Sequence, residues 1–306
     1  MTQKGEQLLK LFEFKKEQIK DFEQNYKGPE WSRRIQRLLK YRLKYLKYLT
    51  RKFLNSTAVE IKTFWGRNFW SHNDLNAGLF GVLGGPQELR LTKFLIKSLP
   101  EDSVFYDIGA HLGFYSILVD DLLDNKEIHA FEPAPNTFKY LEKNLPDFKN
   151  IFLNQTALSN KEGSKEFFIF KNFGLSVGNR FDISLCPSLN FSNFEEIKVK
   201  TITLDKYCFY HSLPTFLKVD VEGSEGYVIE GGIKTLKEAN PIIAIEILRQ
   251  PLDNRSHLKA IEILYNLGYK SYKINEDGEL IFIPKLIPEK IIHEKDNLDN
   301  FIFLKK

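Results

Sequence analysis

Residues 104–116 read VFYDIGAHLGFYS. Three apolar residues, Val104 to Tyr106, run into an acid, Asp107, and then into a turn carrying Gly109 and Gly113. The apolar run Phe114 to Leu123 that follows has the length and composition of a helix. A buried strand, a glycine turn and a helix in this order let a nucleotide-like ligand meet bare backbone at a helix N-terminus. A second acid, Glu132 in IHAFEP, closes the next strand. An acid there is placed to accept hydrogen bonds from two ribose hydroxyls.

The glycine spacing separates two cofactor classes. A dinucleotide turn, G-x-G-x-x-G, would need glycines at 109, 111 and 114, but His111 and Phe114 put bulk where a pyrophosphate requires bare backbone. The spacing present is D-x-G-x-x-x-G, which suits S-adenosylmethionine (SAM), whose methionine tail carries no phosphate. A purely structural βα turn has the same local pattern, so the later acids must decide.

Composition bounds the rest. The 306 residues suffice for one α/β domain with an appendage, and 26 phenylalanines argue for a packed, ring-rich core over a disordered chain. The net charge of +4 is too small to name a polyanionic partner, but its distribution is uneven: Trp31 to Asn55 holds nine basic residues and no acid. Only Cys186 and Cys208 are present, which makes no disulfide framework. The charged N-terminus lacks a signal-peptide apolar core, and no run approaches the roughly 18 apolar residues of a membrane span. A cytoplasmic location is expected, peripheral to a membrane in one reading.

Along the chain, residues 1–60 read as a separate helical region and 61–306 as the main domain. The helix expected over 32–53 has leucines on one face and Lys/Arg on the other, with tyrosines at the border. Packing against the core or a second copy, contact with a membrane surface, and nucleic-acid binding are its readings in that order. Gly78 to Glu88 is expected to loop over the site. Strands and helices then alternate through the middle and end in strands, which predicts a doubly wound, mostly parallel sheet with an antiparallel edge. Residues 163–202 break the alternation and read as an insertion beside the sheet, a place for substrate contacts or a plain surface hairpin.

The segment TFLKVDVEGSE, Thr215 to Glu225, holds one lysine and three acids within eight residues. Phe216 to Val221 is expected to be a strand, so Lys218, Asp220 and Glu222 would share a side at its carboxyl end. Such a charge density in a parallel sheet demands pairing or a site. A Lys218–Asp220 internal pair with Glu225 at a helix start is the structural alternative. The next strand, PIIAIEIL, carries Glu246.

Three blocks together resemble the FkbM-type SAM-dependent methyltransferases: YDIGAHLGFYS (106–116), FEP through NQTALS (131–159), and LDKY with LKVDVEGSEGYVIEGG (204–232) followed by the PIIAIEI strand. The similarity runs from about Glu88 to Leu304. It implies the Rossmann-like class I methyltransferase fold with a seven-stranded sheet, and methyl transfer to oxygen on a sugar, glycolipid or secondary metabolite. His111 stands where many members have Asn.

On this reading the cofactor is expected to lie among Glu88, Asp107, Gly109, Ala110, His111, Gly113, Tyr115, Ser116, Glu132 and Pro133. Asn154 and Ala157 are expected to border the adenine, although Asn154 equally suits a simple strand end. Asp220 is the expected general base, held by Lys218 and Glu222, with Glu246 and Glu225 as further carboxylates. A divalent cation on Asp220 and Glu246 is a second, less favoured mechanism. Rival assignments are a dinucleotide dehydrogenase, a nucleic-acid methyltransferase using the basic helix, and a non-catalytic SAM-binding or membrane-docking module. The second lacks the Asn/Asp-Pro-Pro-aromatic run that base methylases place after the fourth strand.

Overall fold

The computed structural model describes residues 1–25, 58–72, 89–146, 149–170, 181, 194–248, 255–287 and 298–305. The basic helix expected over 32–53, the 78–86 loop and Glu88 lie outside the described residues. The chain divides into two compact units, Met1–Pro86 and Gln87–Lys306.

In the first unit, helix α1 (Gln3–Asn25) starts where the Thr2 hydroxyl accepts the Gly5 N–H at 2.9 Å. It buries Leu8 and Phe12, and the Phe12 ring meets Phe64 edge-on at 5.5 Å. Phe64 sits in the turn of an antiparallel hairpin, β1 (Ala58–Lys62) and β2 (Asn68–His72). The helical reading of 1–60 therefore fails at 58–60, which belong to β1. Val59 is buried between exposed Glu60 and half-buried Ala58, an alternation of period two that pairing with β2 rewards.

The second unit is built on one eight-stranded sheet, in the order β12-β11-β13-β10-β9-β3-β4-β5. These strands are β3 (Ser103–Ile108), β4 (Lys126–Phe131), β5 (Ile151–Asn154), β9 (Phe216–Val219), β10 (Ile242–Leu248), β11 (Lys270–Ile274), β12 (Leu280–Ile283) and β13 (Leu298–Leu304). From β10 to β5 all neighbours are parallel. Among the described residues the sheet has one strand more than the seven expected, and β12 is the antiparallel edge. A second antiparallel strand, β13, lies inside the sheet between β10 and β11. Its core residues Phe301, Ile302 and Phe303 are all buried, the continuous apolar pattern of a strand covered on both faces.

Helices cover both sides. Tyr106, Leu217, Val219, Ile243 and Ile245 point to one side. They pack with α5 (Leu204–Cys208), α6 (Glu225–Glu230), α7 (Ile233–Ala239) and α8 (Arg255–Asn266) through Tyr207, Val228, Leu236 and Leu264. Phe105 and Phe216 point to the other side, where Phe216 meets Phe94 of α2 (Leu89–Ser98). Helix α3 (Phe114–Leu122) lies on that second side too, with Ser116 on Asp107. Helix α4 (Pro135–Asn144) opens with proline in its first turn, where no N–H is missed.

The described strands of the expected insertion, β7 (Gly163–Phe170) and β8 (Phe194–Ile202), form a small separate sheet with β6 (Ala157–Leu158), which precedes it, in the order β6-β8-β7. Its inner residues Ala157, Phe167 and Val199 cluster with Ala134, just past the end of β4. Among the described residues no helix is long and apolar enough to cross a membrane.

Candidate active site

The turn after β3 is set by close backbone approach. Gly109 has φ +80°, and a Cβ there would fall 1.8 Å from the Asp220 carbonyl oxygen, so only glycine fits. The Gly109 and Ala110 N–H groups both donate to the Phe131 carbonyl, at 3.0 and 2.9 Å. Gly113, at φ +88°, opens α3 with no side-chain cap, and a Cβ there would meet Leu141 at 2.6 Å. His111 is a non-glycine residue at φ +53°. Histidine is among the side chains that tolerate this left-handed region, so His111 can fill the turn without a glycine.

That bend aims the His111 N–H at Glu132 Oε2, 3.1 Å away, while Ala134 N–H donates to Oε1 at 2.9 Å. Glu132 is buried, and burial pushes its carboxyl up to about 7 against the pull of these two amides. The carboxylate expected at the end of β4 is thus tied to the turn after β3. Pro133, half-buried, links Glu132 to Ala134.

A chain of charged groups runs across the adjoining strands. Asp107 and Lys218 are register partners on β3 and β9. The Ser116 hydroxyl donates to Asp107 Oδ2 at 2.7 Å, and Lys218 Nζ lies 3.8 Å from Asp107 Oδ1 and 3.0 Å from Asp220 Oδ2. The Lys218 ammonium also sits 5.2 Å from the ring centre of the buried Tyr115. Asp107 Oδ1 is buried without a hydrogen bond, and desolvation raises the Asp107 pKa although Lys218 and Ser116 oppose it. Asp220 is the outermost member, its side chain 21% exposed against 1% for Asp107 and 3% for Lys218. Strand β9 stops at Val219, two residues before the expected end. Glu222 then takes φ +53° and Gly223 φ +96°, so strand alternation does not reach Glu222.

Glu225 is fully buried at the start of α6. Its Oε1 accepts the N–H groups of Val221 at 3.0 Å and Gly223 at 3.2 Å, which fixes the turn behind Asp220. Its Oε2 lies 2.9 Å from Nε2 of His257 on α8, also fully buried. The sequence offered no signal for His257, because the contact spans the distance from one helix start to another and follows no local motif. Glu225 therefore holds a turn through Oε1, while Oε2 lies against the His257 ring without a hydrogen bond, and so fully buried a carboxylate is not the exposed one a base requires.

The remaining expected residues are dispersed. Glu246 is buried within β10, facing Asn300 of β13 across the ladder. Asn154 accepts the Glu132 N–H on its carbonyl at 3.1 Å. Its side-chain amide donates to the Ala130 and Phe152 carbonyls and to the Tyr207 hydroxyl. Ala157 is buried in the small sheet, opposite Thr201. Behind β4, His129 is buried between Tyr207 and Glu127, at 2.8 and 2.7 Å, and desolvation lowers its pKa to about 4. That imidazole is neutral and structural. Among the described residues no group of three or more His, Cys, Asp or Glu side chains is placed to hold a metal ion.

The arrangement brings one glycine turn, one ribose-type acid and one ion-paired, partly exposed acid to the carboxyl ends of adjacent parallel strands, the place where open α/β sheets bind ligands. The hexuronic acid methyltransferase AglP of Haloferax volcanii is 27% identical over 208 residues, 65% of this chain and 77% of the relative. A solved methyltransferase FkbM from Methylobacillus flagellatus superposes with a TM-score of 0.42 at 15% identity, over 74% of this chain and 52% of its own length. The precorrin-6y C5,15-methyltransferase of Geobacter metallireducens gives 0.41 at 18% identity, over 72% and 88%. Residues 107–271, more than half of the chain and all of the site just described, match the methyltransferase FkbM domain, and the chain belongs to that methyltransferase family.

Proposed function

We propose that this enzyme moves the methyl group of SAM to a hydroxyl oxygen of a saccharide, with Asp220 as general base. One observation carries the reading: the cofactor turn and the base are in backbone contact, since Gly109 rests on the Asp220 carbonyl and the Asp220 N–H donates to Ile108 at 3.0 Å. Support for the acceptor class comes from the relative named for hexuronic acid methylation.

The residues present fit the cofactor. Glu132 has two oxygens, each holding one backbone amide and each able to accept a further ribose hydroxyl. Hydroxyl donors would also offset the desolvation that raises its pKa. The positive end of the α3 dipole, at Gly113, favours the tail carboxylate. Once bound, SAM supplies a methyl group made electrophilic by its sulfonium. The protein must then align an oxygen with that methyl and accept one proton. Lys218 donates to one oxygen of Asp220 and fixes its direction, and the other oxygen takes the hydroxyl proton as the oxygen attacks.

The test is transfer of label from methyl-labelled SAM to a saccharide panel. Asp220→Asn should lower kcat by about a hundredfold or more, with SAM affinity changed less than about threefold. Wild-type turnover in that variant would remove Asp220 from the role. Activity untouched by EDTA accords with a carboxylate base; a loss restored by Mg²⁺ or Ca²⁺ would move the mechanism to a metal-assisted one.

A further inference from the structure

One exposed feature of the second unit takes no part in the site described above. Phe209 and Tyr210 follow α5 and are 76% and 66% exposed, two adjacent rings that folding leaves in water. They meet edge-on at 4.9 Å and 85°. Their backbone is fixed from both sides. The Phe209 N–H donates to the Asp205 carbonyl, and the Tyr210 N–H donates to the Tyr207 carbonyl. Beyond them, the His211 ring stacks on the buried Tyr207 at 3.9 Å and donates through Nδ1 to its carbonyl at 2.9 Å. The Tyr106 hydroxyl donates to the Ser212 carbonyl at 2.7 Å, and Pro214 is buried. The rings are thus a preformed tip on a pinned loop, and they lose little freedom when a partner covers them.

The surroundings carry a small cationic surplus. Lys206 is exposed, and its ammonium lies 5.3 Å from the Tyr210 ring centre and 6.0 Å from that of Phe209. Among the described residues no carboxylate forms an ion pair with it. The neighbouring Asp205 turns both oxygens to α7, accepting the Lys234 and Thr235 N–H groups at 3.2 and 2.8 Å. That helix exposes Lys234, Lys237 and Glu238, which makes three lysines against Asp205 and Glu238. Area decides the class of partner. Two rings at these exposures offer roughly 300 Å² of surface. Phe152, 39% exposed and 6.0 Å from the His211 ring, adds a partial face. The sum is about half, at most, of the roughly 800 Å² that a stable protein interface takes from each side. A lipid interface needs no matching surface. Rings enter among the headgroups while a tyrosine hydroxyl and a lysine ammonium stay at the polar level.

We propose that this tip docks the enzyme on an anionic phospholipid surface, with Phe209 and Tyr210 entering the headgroup boundary and Lys206 meeting lipid phosphate. The tip lies in the segment that leads into the amino end of β9, whereas Asp220 follows its carboxyl end, so docking leaves the acceptor side open. Flotation of the full chain with extruded vesicles tests it. Wild type should partition onto phosphatidylcholine vesicles holding about 30% phosphatidylserine. Phe209→Ser with Tyr210→Ser should lower that partition at least about tenfold. SAM affinity and the thermal melt should stay unchanged, since both rings stand outside the core and the site. Lys206→Gln should lower the partition about three- to fivefold on the anionic vesicles and leave that on pure phosphatidylcholine unchanged. Phe209→Trp should keep the partition, and its added emission should be quenched by bromine on the lipid acyl chains. Absent wild-type partition, an unchanged partition in the double variant, or Phe209→Trp emission that brominated lipid leaves alone overturns the docking. So does self-association in vesicle-free solution that the double variant abolishes, because the rings would then serve a second copy of the chain.

Discussion

Glu132 shows how a functional side chain is held against its own preference. A carboxyl pushed up from 4.5 to about 7 by burial binds its proton more tightly in the folded than in the unfolded chain. The sign follows: this group's contribution is fully present below pH 4.5 and is lost as pH rises through 7, in all about 3 kcal/mol. Asp107, raised by the same cause, acts in the same direction. Glu132→Gln should therefore stabilise the cofactor-free protein at pH 8 and flatten its pH dependence between 5 and 8, read by urea denaturation. SAM affinity should move oppositely. It should rise with pH through 7 in the wild type as Glu132 ionises, and be ten- to hundredfold weaker and flat in the variant, read by calorimetry. A variant that loses stability at pH 8 while binding SAM normally would mean that Glu132 is a structural pin. The neighbouring His111 marks the limit of reading residues one at a time. The sequence offers a polar side chain in the turn after the first strand, and the structure adds its left-handed backbone, which turns an N–H toward Glu132.

At the scale of elements, the two turns that meet at Gly109 and Asp220 behave as one unit. Gly109→Ala puts a methyl inside the Asp220 carbonyl and forces an unfavourable φ. It should lower stability by several kcal/mol and abolish SAM binding, as a thermal melt and calorimetry would show. Behind the second turn, Glu225 and His257 form a fully buried pair. His257→Leu leaves Glu225 Oε2 in an apolar setting and should cost about 3–5 kcal/mol. The double variant with Glu225→Gln should cost clearly less than the two single changes added, because each single change strands a partner. Additive losses in that cycle would show that the two side chains do not interact. These contacts also show why some of the site was legible and some not. Strand, glycine turn and helix over 104–122 follow from local spacing, and the acids of KVDVEGSE announce themselves by charge density. His257 is ordinary in its own segment. Only packing across α6 makes it a partner of Glu225, and no local period encodes that.

For the molecule as a whole, the pairing order of the sheet was less readable than its strands. Each of β10, β11 and β13 has a clear apolar run, but the insertion of β13 between the other two is a long-range choice made by two-sided burial of Phe301, Ile302 and Phe303. The consequence is an asymmetry between the two ends of the chain. Residues 298–305 complete the centre of the sheet, and their removal would open two strand edges, at β10 and β11, flanked by buried apolar surface. A chain ending at residue 287 should aggregate instead of melting cooperatively. The opposite truncation removes a unit with its own small core, Leu8, Phe12, Val59 and Phe64, and none of the proposed cofactor or catalytic residues. Every such residue described, from Asp107 to Glu246, is held by strands and helices of Gln87–Lys306. Residues 87–306 alone should therefore melt as a single cooperative unit and bind SAM within about threefold of the full chain, since the desolvation, amide donors and ion pairs that set the site are all internal to it. A fragment that is folded yet fails to bind SAM would show that the first unit completes the cofactor site. Calorimetry on both lengths of the chain, the long and the short, decides it directly.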